Sequence, residues 1–172
     1  MKITIDGKEP VVAASAYLTP GAFVIGQVEI GEKSSVWFNT VIRGDVDAIS
    51  IGSETNIQDN CTIHADEGFP VRIGDRVTVG HNSVLHGCKI GSGAVIGMQS
   101  VLLNGCSVGE DAVIGAGSLV TSGTEIPPGT LALGRPAKVV KELTPEQIAS
   151  GQELYKIYRD RSLVYQRDLP SK

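Results

Sequence analysis

Aliphatic residues along this chain recur at intervals of six. Val12, Leu18, Val24, Ile30, Val36 and Ile42 open the series. It resumes after an excess of three residues at Ile51, Ile57 and Ile63, and after an excess of four at Ile73, Val79 and Leu85. One short step leads to Ile90, and the beat then holds through Ile96, Leu102, Val108, Ile114, Val120 and Ile126. The fourth residue after each aliphatic is small or β-branched, as at Val28, Ser34, Thr40, Val46, Thr55, Cys61, Val77, Ser83, Ala94, Ser100, Cys106 and Ala112. Glycine follows many of the aliphatics directly, at 31, 52, 74, 80, 91, 97, 109 and 115.

A period of six is neither the 3.6 of a helix nor the 2 of a half-buried strand. It is the signature of a parallel β-helix, in which each hexapeptide supplies one short strand and one corner. The aliphatic and the small residue point inward, large against small, and fill a narrow prism. The glycines are expected at corners needing φ > 0. Cys61 and Cys106 fall in the small inward slot and read as packing residues. Pro127 and Pro128 are expected to stop the ladder, with 131–138 as a connector. Thr144-Pro145-Glu146-Gln147 then reads as a helix start, with Thr as N-cap and Gln closing a capping box. Helical spacing continues through Ile148, Leu154, Ile157, Tyr158 and Val164 to about Tyr165, with Gly151 a weak point. The expected fold class is all-β with a C-terminal helix: a β-helix over 1–140 and the helix over 141–172, packed along it.

Composition narrows the classes of function. Net charge is −4, against the clustered basic face that nucleic acid wants. No apolar run reaches the ~18 residues of a membrane span, and Met1-Lys2-Ile3-Thr4 begins no signal-peptide core. Three cysteines without close spacing suit a reducing compartment. Together these point to a cytoplasmic protein with no nucleic-acid or membrane partner.

The chain has three histidines, His64, His81 and His86, all within 23 residues. A lone outward histidine is ordinarily a solvated surface residue, so their places in the repeat matter. Three hexapeptides make one turn of the prism, which returns the chain to the same edge one strand spacing higher, ~4.8 Å. His64 follows Ile63 and His86 follows Leu85, so the two stack in one outward column, with Arg43 beneath them. His81 lies on another edge, above Asp59. Imidazole is a common metal ligand, and three histidines with an open position form a catalytic metal shell. Three chains side by side in a cyclic trimer, first column facing second, would bring the histidines to one ion. The same packing would pair Arg43 with Asp59.

The motifs Arg43-Gly-Asp45, Asn56-Ile-Gln-Asp59, His64 and Gly80-His81-Asn-Ser-Val-Leu-His86-Gly resemble those of the gamma-class carbonic anhydrases, over about residues 5–169. The resemblance implies a left-handed β-helix and a homotrimer. It also implies a metal held by His64 and His86 of one chain and His81 of the next. It places Gln58 beside the metal-bound solvent, and Arg43, Asp45, Asn56 and Asp59 around the site and interface. Glu67 stands at the offset of a family proton carrier. The chain departs from the family's best-studied branch in two places. Val46 stands where that branch has glutamate, and a short loop, Ala65–Pro70, replaces a long acidic one.

The reaction implied is reversible hydration of CO2 to bicarbonate, with zinc activating water; iron or cobalt would also suit imidazole ligands. Two alternatives stand beside it. Gly134-Arg-Pro-Ala-Lys138 resembles a tail of hexapeptide acyltransferases, which points to a transferase or thioesterase using coenzyme A. A metal-stabilised trimer without turnover is the other.

Overall fold

Each six-residue step folds as one short strand and one corner. In the computed structural model, which describes residues 1–169, the strands stack in parallel on three faces of a prism. The first face carries Val24, Ile42, Ile63, Leu85, Leu102 and Val120 in register. The second carries Val12, Ile30, Ile51, Ile73, Ile90, Val108 and Ile126. The third carries Leu18, Val36, Ile57, Val79, Ile96, Ile114 and Ala132. The first two faces are continuous, because strands Phe23–Ile30 and Val41–Ile51 bend from one to the other. The three residues in excess between Ile42 and Ile51 are what lengthen the second of these strands.

The coil is left-handed. The right-handed rule for parallel crossovers rests on a twisted strand feeding a helix that packs back on its sheet. These crossovers are bare corners, most of them between strands of two or three residues and none through a helix, so that constraint does not act.

The inward aliphatics form one buried column, with Ile42, Ile57, Ile63, Leu85, Ile96, Leu102 and Ile114 all fully buried. Burial of each side chain of this kind is worth roughly 1.5–3 kcal/mol. The small slot tolerates hydroxyls because each finds a backbone carbonyl. Ser83 Oγ donates to the Gly80 carbonyl at 2.7 Å, and Ser100 Oγ to that of Gly97 at 2.7 Å. Cys88 joins Cys61 and Cys106 in this slot. In-register pairing of Lys89 with Ser107 stacks Cys88 against Cys106. The hydrogen bond to Cys106, followed by burial, pushes the Cys88 thiol well up. Val46 does not take the inward place that its spacing suggests. It is 48% exposed, and Ile49 fills the core there instead, because the extended run of Val41–Ile51 breaks the six-residue phase.

The corner chemistry also differs from expectation. Left-handed φ falls on the third residue after the aliphatic. Lys33, Asn39, Glu54, Asn60, Arg76, Asn82, Gln99 and Asp111 all lie between +55° and +61°, and the equivalent corner at Gly93 has +73°. The glycine directly after the aliphatic serves close approach between coils. A Cβ on Gly80 would come within 2.7 Å of the Met98 amide nitrogen above it.

The prolines do not end the ladder. They sit in a turn, where no ladder N–H is required of them, and Thr130–Gly134 continues the third face beside Val113–Ile114. An antiparallel strand, Ala137–Glu142, then closes that end, so 131–138 is part of a hairpin turning at Arg135–Pro136 rather than a connector. Helix α1 spans Pro145–Asp168 behind the expected Thr144–Gln147 capping box. It runs back along the third face from Gly129 to Tyr17, whose hydroxyl donates to the Leu169 carbonyl at 2.7 Å. Gly151 does not break the helix. It faces Val95, whose Cγ2 would be 3.4 Å from an added Cβ. Trp37 anchors the far half edge-on to Tyr158 and Tyr165, with ring centres 5.3 and 5.1 Å away. Among the described residues, no helix is long and apolar enough to cross a membrane.

Candidate metal centre

Strands Thr62–His64 and Val84–His86 lie side by side in register, His64 directly beneath His86. Arg43 is paired beneath His64 in turn, as the column count requires. The stack brings His64 Nδ1 to 3.0 Å from His86 Nε2. Each ring is held from behind. His64 Nε2 lies 3.1 Å from Asp45 Oδ1, and His86 Nδ1 lies 2.5 Å from Asn104 Oδ1. Asp45 also pairs with Arg43. Burial alone would raise the Asp45 carboxyl, but the Arg43 and His64 hydrogen bonds outweigh it and hold the group below the usual carboxylate range.

This arrangement gives a direct test of fit to a metal. A carboxylate can only accept, so Asp45 fixes the proton of His64 on Nε2 and bares Nδ1. With Asn104 accepting from Nδ1 of His86, the bare nitrogen there is Nε2. When both rings are neutral, two lone pairs then face each other across 3.0 Å. Without a shared cation that contact is repulsive. Two nitrogens bound tetrahedrally at zinc's ~2.0–2.1 Å would be separated by roughly 3.3 Å. The spacing of the pair is thus close to that of two neighbouring ligands, and its outer partners are of the kind that metal-binding histidines use.

His81 stands apart on the corner leading out of the third face. Its Nδ1 lies 2.8 Å from Asp59 Oδ2, and its Nε2 is 3.3 Å from the Tyr158 hydroxyl. It has the same outer-carboxylate pattern, with Nε2 as the nitrogen turned away from the carboxylate. Burial, then the nearby Asp59 charge, raises the Tyr158 hydroxyl, which keeps it a donor. Among the described residues of one chain, no group of three or more His, Cys, Asp or Glu side chains is placed to hold a metal ion. Within one chain Asp59 serves His81 and Arg43 serves Asp45.

Gln58 follows Asn56–Ile57 on the face that α1 contacts. Its place in the repeat predicts an outward side chain, but it is 5% exposed. Its Nε2 donates to Asn56 Oδ1 at 3.2 Å, and Asn56 Nδ2 donates to Thr78 Oγ1 at 2.9 Å. This amide chain fixes which way each carboxamide points. Glu67 lies exposed at the tip of the Asp66–Phe69 turn, its N–H donating to Asp66 Oδ1. A groove of about 720 Å³ beside Asp59 is lined by Trp37, Phe38, Tyr158, Arg161 and Tyr165. A larger concavity, about 810 Å³, lies by Met1 and Leu18 and has none of the histidines in its lining.

Tyr158 and Asn104 are site residues that the sequence reading misses. Nothing in helical spacing says which turn of α1 meets His81. Asn104 was within reach of the column count, since it lies two residues past Leu102, which is stacked on Leu85.

The geometry defines a hexapeptide-repeat left-handed β-helix, and known proteins share that fold. The bacterial transferase hexapeptide model of six repeats matches residues 87–122. A Geobacillus kaustophilus protein named carbonic anhydrase is 49% identical over 92% of this chain and 87% of its own. Arabidopsis thaliana gamma carbonic anhydrase 2, mitochondrial, is 45% identical over 95% of this chain and 61% of its own. A crystal structure of a Bacillus cereus protein, named there as a candidate acetyltransferase, superposes with a TM-score of 0.95. It is 46% identical, with 96% of each chain covered. The chain belongs to the gamma-class carbonic anhydrase family.

Proposed function

We propose that this protein hydrates CO2 reversibly at a zinc site shared between subunits of a homotrimer. The observation that carries the reading is the facing pair of bare nitrogens on His64 and His86, each backed by a fixed partner. His81, with Asp59 behind it, is the third ligand and comes from the neighbouring chain, because one chain does not bring it to the pair. The exposed apolar side chains of Met98, Ile157 and Leu163 are surface available to such an assembly. Carbonic anhydrase is also the name carried by relatives at this level of identity.

Bound there, the metal supplies an activated water. The chain supplies orientation and a route for the proton. Gln58, its amide aligned by Asn56, presents a group of fixed polarity to the substrate. Arg43 and Asp45 hold His64 in place, and across the interface Arg43 approaches Asp59. Glu67 is the proton carrier; its exposed position on a short turn gives it bulk water on one side and little to hold it on the other. Hydration is therefore limited by proton transfer and rises with buffer concentration.

An acyl-transfer reading draws on the repeat and on the His81–Asp59 pair, which alone would suit a general base. It leaves the His64–His86 pair without a purpose. Stopped-flow hydration of CO2 by fully metallated protein decides between them. Catalysis stimulated by buffer is the expected result. Its absence at every buffer concentration, with turnover of acyl-coenzyme A instead, would overturn the proposal.

A further inference from the structure

Behind His86 lies a second group whose polarity is set by the fold. Asn104 Oδ1 sits 2.5 Å from His86 Nδ1, and Asn104 Nδ2 sits 3.2 Å from Asp66 Oδ2. A carboxamide has one accepting end and one donating end, and rotation by half a turn exchanges them. Asp66, as a carboxylate, can only accept. The amide nitrogen must therefore face Asp66, and the amide oxygen must face His86. That oxygen in turn requires a proton on His86 Nδ1, which leaves Nε2 bare toward His64.

Local packing holds this chain of bonds in place. Asp66 and Phe69 close their turn on each other, Phe69 N donating to the Asp66 carbonyl at 2.8 Å. Phe69 lies over the glycine next to His86: a Cβ on Gly87 would be 2.8 Å from Phe69 Cβ and 2.5 Å from Asn104 Oδ1. Gly87 is thus the space into which the amide fits. The same turn carries Glu67 at its tip. Two adjacent carboxylates on one short loop accordingly have separate tasks.

We infer that Asp66 and Asn104 are positioning residues for His86, a two-step relay that selects the tautomer with Nε2 free to ligate a metal. This rests on the metal-site reading above, but not on what reaction follows. Its logic is electrostatic and does not require Asp66 to exchange a proton. Outer-shell partners of this type typically change metal affinity by about 10–100-fold.

The experiment has one spectroscopic arm and one binding arm. Long-range 1H–15N correlation on metal-free full-length protein, with ¹⁵N-labelled histidine, reports each neutral tautomer, and three histidines are few enough to assign. His86 should carry its proton on Nδ1; a proton on Nε2 would refute the relay. Competition titration with Co2+ should show D66N and N104A weakened by about 10–100-fold. The exchange variant D66N/N104D keeps the polarity. A carboxylate at position 104 would accept from His86, and a carboxamide at position 66 would donate to that carboxylate. It should recover most of the loss. Binding unchanged in both single variants, or an exchange variant no better than either of them, overturns the inference. Neither arm involves CO2, so a protein that fails to hydrate CO2 but passes both would leave the relay standing.

Discussion

The first and third faces of the prism each carry part of the site, and they are built differently. On the first, His64 and His86 sit on adjacent strands of one parallel ladder. Their separation is set by backbone hydrogen bonding, and only their ring orientations depend on Asp45 and Asn104. On the third, Gln58 is buried on the face that α1 contacts, and His81 at its corner reaches the Tyr158 hydroxyl of α1. Position there depends on where a helix remote in sequence comes to rest. On our proposal, half of a metal site is thus delivered by register alone. The other half needs tertiary docking and, on our proposal, a second chain.

The sharpest way to break this contrast is to remove the ligands one face at a time. H86A and H81A should each lose nearly all bound metal, measured on protein purified without chelator. If the ligands come from two chains, an equal mixture that exchanges subunits should regain about a quarter of the sites, since a site needs one chain of each kind in the right order around the ring. No recovery in trimers shown to be mixed would place all three ligands on one chain.

A smaller effect tests the link between the faces. Cys61 lies between Asp59 and Ile63, and its thiol donates to the Gly80 carbonyl at 3.3 Å, next to His81. Burial, reinforced by the Asp59 charge, pushes this thiol up to about 11. The folded state therefore holds the proton more tightly than the unfolded chain. The stability it contributes is full below the ordinary thiol value and is lost as pH rises through about 11. That loss should reach roughly 2–3 kcal/mol by denaturant titration at rising pH, and C61A should remove the pH-dependent part. An unchanged alkaline slope in C61A would exclude the thiol as its source.

The smallest effect concerns the helix. G151A should stabilise the protein by up to ~1 kcal/mol, because glycine costs about that much inside a helix. The new methyl would meet Val95 Cγ2 at 3.4 Å, a contact that the side chain can relieve. A fall in thermal midpoint would show that the third face packs against α1 too closely to yield.

Much of this protein is legible from spacing. Ile63 and Leu85 lie three repeats apart, and the fold does place their followers one above the other. The capping box is equally plain, because Thr144 and Gln147 act within one turn of helix. Where spacing misleads, it suggests one cause and another operates. Glycine after the aliphatic suggests a conformational requirement, but it answers to the coil above it, as Gly80 does to Met98. The prolines at 127 and 128 suggest an end to pairing, though they lie between strands.

By itself, then, the sequence determined the prism, its register and the column that holds His64 and His86, because a parallel ladder converts residue count directly into position. It could not determine the partners that fix each ring. Asp45 turns back from an extended bend, Asp66 is folded over by its own turn to meet Asn104, and Tyr158 arrives on a helix 77 residues beyond His81. Those contacts depend on side-chain reach and on how separate elements pack, neither of which repeats with a period. Tertiary structure alone decided which nitrogen of His64 and of His86 is turned to the other.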